Sequence, residues 1–240
     1  MNIERIQSGI ETNGFAIRER VLSQETVDAL VEALGRINLN ESASKRGGIR
    51  NLLEVSPEIR ELACSPTVRV LVESVLGPGA FPVRGILFDK VAESNWKVPW
   101  HQDVTIAVQK RIEVEGFGPW TMKANVLHVQ PPTSVLEQMI SIRLHLDNCR
   151  EDNGALRVIP GSHLKDRIPE REISSVCANA HEHICIVKQG GALLMRPLLL
   201  HASSSSRLPG HRRVIHLDFA AVQLPCGMRW AFEVPPTEMR

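Results

Sequence analysis

The sequence predicts a mainly β protein, a sandwich or jelly roll, with helices packed against it. Apolar residues recur at helical spacing in the first third of the chain, and short apolar or alternating runs between Gly, Pro and Asn residues follow from about residue 80. No Ser/Gly linker or internal repeat separates the two parts. Many short strands between turn residues are typical of antiparallel sandwiches and jelly rolls. We expect a single domain over 1–240, with a helical buttress over about 1–80, a β core over about 81–222 and a C-terminal tail over 223–240.

The predicted helices begin at serine residues that can act as N-caps. Ser23 precedes an apolar stripe with the i, i+3, i+4, i+7 spacing of one helix face, formed by Val27, Leu30, Val31 and Leu34. Ser56-Pro57 and Ser65-Pro66 each place a proline at the first helical position, where its missing N–H costs nothing. The last of these helices is expected to end at Gly77.

The predicted strands lie between turn signals such as Asp152-Asn153-Gly154 and Pro160-Gly161. They cover 81–88, 126–129, 140–146, 155–159, 183–187, 192–195 and 214–222. The segment 104–125 contains several charges and the hinge-like Gly116-Phe117-Gly118-Pro119. We interpret this segment as a loop or lid over a substrate, with an ordinary long hairpin as the alternative.

The composition excludes several classes of protein. With 28 Lys+Arg against 27 Asp+Glu, the formal net charge of +1 lacks the basic excess of a nucleic-acid binder. No apolar run reaches the roughly 18 residues of a membrane span, and the N-terminal segment is too polar for a signal peptide. Five cysteines without a Cys-x-x-Cys pair fit reduced thiols. We therefore expect a cytoplasmic protein that binds neither membranes nor nucleic acid.

Three His-x-Asp triplets are the candidates for metal chemistry. They are His101-Gln102-Asp103, His145-Leu146-Asp147 and His216-Leu217-Asp218. Residues i and i+2 of a strand point to one face, so each triplet can present an imidazole beside a carboxylate. Together with a distant histidine, such a pair would form the triad of two His and one carboxylate that leaves positions open on non-haem Fe(II). The alternative for each triplet is a polar strand face with a structural role.

The first triplet has the setting most typical of a site. It follows Trp96 and Trp100 in a turn-like approach, whereas the other two lie in alternating strands, and the third has no later histidine. His201 follows an apolar run about 100 positions later, which leaves room for several strands between the ligands. Arg212 lies on the returning strand, where a buried guanidinium could bind a carboxylate through two hydrogen bonds, and Ser203 could add a hydroxyl contact.

The order of these motifs resembles that of the phytanoyl-CoA dioxygenase family. The resemblance is carried by His101-Gln102-Asp103, Asn153-Gly154-Ala155-Leu156, Ile159-Pro160-Gly161-Ser162-His163, and His201-x-Ser203 with Arg212. It extends from about residue 12 to about residue 221. The family consists of Fe(II)- and 2-oxoglutarate-dependent oxygenases. Its fold would be a double-stranded β-helix, a cupin-like jelly roll, with N-terminal helices packed on one sheet.

Carried over position by position, the resemblance implies a ligand set and a cosubstrate site. His101, Asp103 and His201 would be the iron ligands and the catalytic residues. Arg212 would bind the distal carboxylate of 2-oxoglutarate with help from Ser203, since the chain contains no tyrosine that could do so.

Further residues are candidate contacts inside the barrel. Lys90 stands where the family often has a lysine. Arg143 replaces an aromatic residue of some relatives, which suggests an anionic substrate or a second cosubstrate contact. Arg84 alternates with Lys90 along one strand, and a surface ion pair is the alternative for all three basic residues. The candidate substrate contacts are Arg84, Trp100, Gln102 and Trp120, with core packing as the alternative for the tryptophans.

The resemblance implies an enzyme that uses Fe(II), 2-oxoglutarate and O2. It would hydroxylate an unactivated C–H bond of a small molecule, with an anionic one favoured, and release succinate and CO2. Asp103 favours hydroxylation, because a small residue replaces this carboxylate in related halogenases. Two alternatives stay open, a non-catalytic jelly-roll ligand-binding protein and a cupin-like metal enzyme that does not use 2-oxoglutarate. The substrate and the oligomeric state are left open as well.

Overall fold

The structure, a computed structural model, describes residues 3–37, 48–91, 95–207 and 210–233. Seven helices lie within these ranges, five of them before residue 80. They are α1 Ile3–Asn13, α2 Gln24–Arg36, α3 Leu52–Val55, α4 Pro57–Cys64, α5 Pro66–Leu76, α6 Thr133–Leu136 and α7 Glu170–Ala178.

Thirteen strands lie within the same ranges. They are β1 Phe15–Arg18, β2 Gly48–Ile49, β3 Phe81–Asp89, β4 Val98–His101, β5 Ile106–Val108, β6 Trp120–Lys123, β7 Val126–Val129, β8 Met139–His145, β9 Leu156–Val158, β10 His183–Cys185, β11 Ala192–Met195, β12 His201–Ser203 and β13 Arg213–Ala220.

The strands form three antiparallel sheets. The large sheet has the order β1-β11-β8-β13-β3-β2, the smaller sheet β10-β9-β12-β4, and the third sheet β5-β7-β6. The predicted class, mainly β with flanking helices in a jelly-roll arrangement, is confirmed. In the ranges that the structure describes, the sheets stay separate and open, so hydrogen bonds do not close them into one barrel.

The large sheet has one apolar and one polar face, because its central strands alternate. On the outer face, Ile142 of β8 and Leu217 of β13 belong to a core that also contains Ile10 of α1, Leu30 of α2 and Leu71 of α5. The inner face presents pairs of polar cross-strand neighbours, Arg143 opposite His216, Ser141 opposite Asp218, and Arg84 opposite Asp218. The helices therefore cover one face of this sheet, and the other face is left for polar chemistry.

The two other sheets pack on this frame through separate apolar clusters. Leu156 and Val158 of β9 meet Leu193 and Met195 of β11, which joins the smaller sheet to the large one. The third sheet packs through Ile106 and Val108 of β5, in a cluster that also contains Trp230 near the C-terminal end of the described chain. The smaller sheet thus faces the polar side of the large sheet.

The predicted helix starts are confirmed by their caps. The hydroxyl of Ser23 accepts from the Thr26 N–H at the start of α2. Ser56 caps α4 and Ser65 caps α5 in the same way. α5 ends at Gly77, whose φ of 83° is in the region that favours glycine.

Three local expectations from the sequence need correction. The supposed turn before His101 is strand β4. The segment 104–125 contains β5 and β6, which both pair with β7, so it is part of a sheet and not a free lid. The large sheet also takes β1 and β2 from the part expected to be helical. The division into domains stays a prediction, and residues 234–240 of the expected tail lie outside the described residues.

Candidate metal centre

His101, Asp103 and His201 come together where two strands of the smaller sheet pair. His101 ends β4 and His201 begins β12, and their antiparallel pairing places the two residues opposite each other. Asp103 follows two residues after His101, and its backbone N–H donates to the Pro197 carbonyl at 2.9 Å. One potential ligand atom from each of the three side chains lies within 4.8 Å of the others. Strand pairing therefore joins residues that are far apart in sequence.

Both imidazoles present the same nitrogen to the centre. Nδ1 of His101 lies 2.8 Å from the Pro99 carbonyl oxygen, and Nδ1 of His201 lies 2.9 Å from that of Leu199. A carbonyl oxygen only accepts, so Nδ1 donates and Nε2 keeps its lone pair. The two Nε2 atoms lie 3.9 and 3.6 Å from oxygens of Asp103. Backbone hydrogen bonds of this kind orient imidazoles that ligate metals.

The charge states of His201 and Asp103 also suit a metal ion. Burial lowers the pKa of His201 to about 4, so its ring is neutral at pH 7, the form that binds a metal. Burial by itself would raise the pKa of Asp103, but His201, Arg84 and His101 outweigh this effect and lower it. The centre offers two nitrogen donors and one anionic oxygen, the set typical of non-haem Fe(II) enzymes.

The third triplet, His216-Leu217-Asp218, belongs to a buried network on the inner face of the large sheet. His216 accepts through Nδ1 from Arg143 Nη1 at 3.1 Å and donates through Nε2 to Asp218 at 2.8 Å. Asp218 also accepts from Ser141 Oγ at 2.6 Å and from Arg84 Nε at 2.5 Å. Burial opposes ionisation of Asp218, but the charge of Arg84 and the bonds to His216 and Ser141 hold its pKa far below the usual range.

The middle triplet is divided by the end of β8. Asp147 pairs with Arg213 through both carboxylate oxygens, at 2.8 and 2.9 Å. His145 is buried, and neither ring nitrogen has a hydrogen-bond partner among the described residues. Burial, and then the charges of Arg143 and Arg212, lower its pKa well below the usual value. Within the described chain, the only group of three side chains that could together bind a metal consists of His101, Asp103 and His201.

A group of buried residues beside the metal centre contains three basic side chains and one hydroxyl. We call it the inner basic group, and it consists of Lys90, Arg143, Arg212 and Ser203. The backbones of Lys90 and Arg212 are hydrogen-bonded to each other beyond the ends of β3 and β13. Lys90 Nζ donates to Ser203 Oγ at 3.1 Å and to the Ser204 carbonyl. Burial and then the charge of Arg212 lower the pKa of Lys90 to about 7, and the same two causes lower that of Arg143 to about 10. The basic side chains of Lys90, Arg143 and Arg212 are therefore buried close enough to repel one another.

The inner basic group has donors that the protein does not use. The Nε atoms of Arg143 and Arg212 are buried without a hydrogen-bond partner among the described residues, and Arg212 Nη1 has only the Cys149 sulfur at 4.0 Å. Arg157 and Arg167, outside this cavity, also have an Nε without a partner, but Arg143 and Arg212 line one cavity, where a ligand that brings acceptor oxygens would satisfy both. A dicarboxylate fits this requirement, since it also reduces the repulsion between the arginines.

A cavity of about 420 Å³ connects the metal centre with the basic residues around it. Its lining within the described chain contains His101, Asp103, His201 and Ser203. It also contains seven basic residues, Arg50, Arg84, Lys90, Lys97, Lys123, Arg143 and Arg212, whereas Asp103 is its one carboxylate. Of the basic residues expected inside the barrel, Lys90 and Arg143 are buried at the site, and Arg84 is partly buried there in an ion pair with Asp218.

Three residues expected to contact the substrate have other surroundings. Trp100 packs beside Ile159 and Leu200, and Trp120 packs in the cluster under the third sheet. Neither ring lines the cavity. Gln102 borders the cavity, but its amide donates to two backbone carbonyls and accepts from the Ile168 N–H. The strand alternation of β4 explains the correction for Trp100, because the residue next to His101 faces the opposite side.

Sequence analysis did not assign several residues that line the cavity, among them Trp96, Arg50 and Lys123. Trp96 lies with its ring 5.6 Å from Lys90 Nζ, a distance at which a cation interacts with an aromatic face. Arg50 and Lys123 belong to parts of the chain without a recognisable motif. The sequence indicates for Trp96 only that it lies near His101. Neither a motif nor a spacing distinguishes Arg50 or Lys123 from other basic residues at the surface.

Comparison with known proteins identifies relatives of the chain. The family model described as phytanoyl-CoA dioxygenase (PhyH) matches residues 10–214. No curated protein gives a significant match. No helix in the described ranges is long and apolar enough to cross a membrane.

Several solved structures share the fold. The non-heme alpha ketoglutarate-dependent carbocyclase SnoK from nogalamycin biosynthesis is 14% identical, covers 92% of this chain and 84% of its own, and has a TM-score of 0.70. EctD from S. alaskensis, solved with 2-oxoglutarate and 5-hydroxyectoine, is 19% identical. The match covers 90% of this chain and 75% of EctD, with a TM-score of 0.69. The epimerase SnoN, in complex with Fe3+, alpha ketoglutarate and nogalamycin RO, is 15% identical. The match covers 98% of this chain and 91% of SnoN, with a TM-score of 0.68.

Proposed function

The chain belongs to the phytanoyl-CoA dioxygenase family, and from this membership we propose that it is a non-haem Fe(II)- and 2-oxoglutarate-dependent oxygenase. The proposal depends on one observation, the approach of His101, Asp103 and His201 in a cavity that the inner basic group also lines. Neither a metal site nor a buried arginine would suffice alone. Their presence in one cavity matches a metal ion and a dicarboxylate that bind side by side.

The residues present fit both groups. His101 and His201 would bind Fe(II) through Nε2 and Asp103 through a carboxylate oxygen. Arg212 and Ser203 would hold the distal carboxylate of 2-oxoglutarate, and the unused donors of Arg212 and Arg143 support this assignment. Lys90 would position Ser203 and add positive charge, since its ammonium already donates to that hydroxyl. When bound, iron and 2-oxoglutarate together supply the activation of O2 that hydroxylation of a C–H bond requires.

We further propose that the reaction is hydroxylation of a small, anionic molecule. The retained carboxylate of Asp103 supports this outcome, although the relatives include enzymes described as a carbocyclase and an epimerase. A reaction under 18O2 that yields a product enriched in one 18O atom would identify hydroxylation. A product without the label would identify one of the other outcomes. Five free thiols support action in the cytoplasm, where thiols stay reduced.

The decisive experiment is anaerobic addition of Fe(II) and 2-oxoglutarate to the purified protein. We expect a weak metal-to-ligand absorption band in the visible region. His101→Ala and Asp103→Ala are expected to abolish the band and to lower the bound iron, whereas His181→Ala, an exposed histidine outside the site, leaves both unchanged. Absence of the band in folded protein that retains iron would indicate a metal enzyme that does not use 2-oxoglutarate. Absence of iron binding would favour a non-catalytic binding protein.

A further inference from the structure

A second basic group, in which Arg50 and Lys123 are exposed and Arg84 is partly buried, lines the same cavity as the metal centre. Arg50, Arg84 and Lys123, which we call the outer basic group, line the central cavity and also a small adjoining cavity of about 30 Å³. Arg84 is one of the charges that act on the Asp103 carboxylate. The outer group therefore stands beside the metal centre.

Different arginines act most strongly on the lysines of the two groups. After burial, the charge of Arg212 lowers the pKa of Lys90, whereas the charge of Arg84 lowers that of Lys123 and the charge of Asp103 raises it. Both groups line the same cavity as the metal ligands.

Lys123 is an exposed side chain at the cavity and makes one hydrogen bond within the described chain. Its Nζ donates to Thr105 Oγ1 at 2.9 Å, and Thr105 follows Asp103 by two residues. Unlike Arg84, whose charge is balanced by Asp218, Lys123 forms no ion pair with a carboxylate of the described residues. The ammonium keeps donors for a further acceptor.

Lys123 has a positive charge that the proposed cosubstrate does not neutralise. Of the two carboxylates of 2-oxoglutarate, the distal one is assigned to Arg212 and the other would lie at the metal. We infer that Lys123 and Arg50 bind a carboxylate or phosphate group of the substrate, which is therefore an acidic small molecule held with its reacting carbon over His101, Asp103 and His201. This assignment rests on the proposed function, which gives the inner group to 2-oxoglutarate.

The cavity also has apolar lining residues, which suit the uncharged part of such a substrate. Ile86 and Val104 lie along the cavity, and Ile86 also borders the adjoining one. An apolar segment could contact these side chains while its charged end reaches Lys123. Charge-assisted hydrogen bonds at one end would thus fix which carbon lies over the metal centre.

The test uses simple probes because the substrate is unidentified. Benzoate, phenyl phosphate and neutral benzamide are titrated calorimetrically into the full-length protein with Fe(II) and 2-oxoglutarate under anaerobic conditions. We expect at least one anion to bind and benzamide to bind more weakly. Lys123→Gln should weaken the anion about tenfold, the loss expected for one charge-assisted hydrogen bond, and Arg50→Gln should act in the same direction. Comparison of benzoate with phenyl phosphate distinguishes a carboxylate from a phosphate substrate.

Two further variants serve as controls. Lys123→Arg keeps the charge and should keep most of the anion affinity. Lys110→Gln removes an exposed lysine in the same segment outside the cavity and should have no effect. The inference is overturned when neither anion binds, when benzamide binds equally well, or when Lys123→Gln binds the anions as the wild type does.

The absorption band separates failure of this inference from failure of the proposed function. A band that persists in Lys123→Gln, with unchanged anion binding, refutes the outer site alone. Anion binding that depends on Lys123 in a protein without the band leaves the outer site in place and refutes the oxygenase assignment.

Discussion

Asp218 accepts three side-chain hydrogen bonds inside the large sheet, from Arg84, Ser141 and His216. The exposed fraction of its side chain is 7%, so water contributes little to its solvation. A buried carboxylate without these donors would be strongly destabilising. Its function is therefore to balance Arg84 and to hold His216, which in turn bonds Arg143 beside the cavity.

Asp218→Asn is expected to destabilise the fold strongly. The change leaves Arg84 buried without its counter-charge, and breaking a buried ion pair in this way typically costs about 3–5 kcal/mol. Urea unfolding monitored by circular dichroism measures this loss. Glu32→Gln, which removes one partner of an exposed ion pair with Arg36, serves as the control and should cost about 0–1 kcal/mol. Equal effects of the two substitutions would contradict the assigned role of Asp218.

The same pair predicts a pH dependence of stability. The pKa of Asp218 is lower in the folded protein than in the unfolded chain, so the unfolded state binds the proton first as pH falls. Its contribution is fully present above the unfolded pKa of about 4 and is lost as pH falls below that value toward the folded pKa. The free energy of unfolding should therefore fall less steeply below about pH 4 in Asp218→Asn than in the wild type. Parallel pH profiles would show that other carboxylates dominate acid unfolding.

At the scale of single elements, the sequence predicts those helix starts and strands that depend on residues close together in the chain. Ser23, Ser56 and Ser65 mark helix starts because an N-cap hydroxyl acts within one turn of its own position. Strands such as Val126–Val129 and Ala192–Met195 were recognisable from apolar runs between turns. Strands β4 and β5 were missed, because β4 contains Pro99, which the sequence pattern assigns to a turn, and β5 lies in the charged, glycine-containing segment predicted as a loop. Tertiary pairing, with β12 and β7 respectively, makes them strands.

The turn at Gly154 provides an element-scale prediction. Its φ of 80° favours glycine, and a Cβ there would lie 2.5 Å from the Ser204 carbonyl that accepts from Lys90. Gly154→Ala should cost at least about 1–2 kcal/mol from the backbone conformation alone and should weaken 2-oxoglutarate binding by moving Lys90.

Gly35→Ala is the matched control for this substitution. Gly35 lies within α2, and a Cβ added there would meet no atom within 4 Å. Alanine should stabilise the helix by about 0.5–1 kcal/mol. Chemical denaturation of both variants and a titration with 2-oxoglutarate check the pair. A Gly154→Ala protein as stable as the wild type would mean that the turn can rearrange.

At the scale of the whole molecule, the cavity is assembled from distant parts of the chain. Arg50 follows β2, Lys123 ends β6 of the third sheet, and Arg212 precedes β13. The metal triad could be predicted because a strand places residues i and i+2 together and the family order supplied the distant histidine. No spacing relates Arg50 to Lys123, so the positive charge of the outer basic group in this cavity emerges only from the packing of the chain.

Thermal stability measured with and without ligands tests this assembly. A ligand that binds only the folded state at 100 times its Kd adds about 2.7 kcal/mol, and each kcal/mol raises the Tm of a chain of this size by about 2–4 °C. Fe(II) alone and then Fe(II) with 2-oxoglutarate should each raise the Tm of the wild type under anaerobic conditions. Arg212→Gln should keep the increment from the metal and lose most of that from 2-oxoglutarate. His201→Ala should lose both, because the cosubstrate is expected to bind through the metal as well as through Arg212. An Arg212→Gln protein that keeps the full 2-oxoglutarate increment would show that the inner basic group serves another ligand.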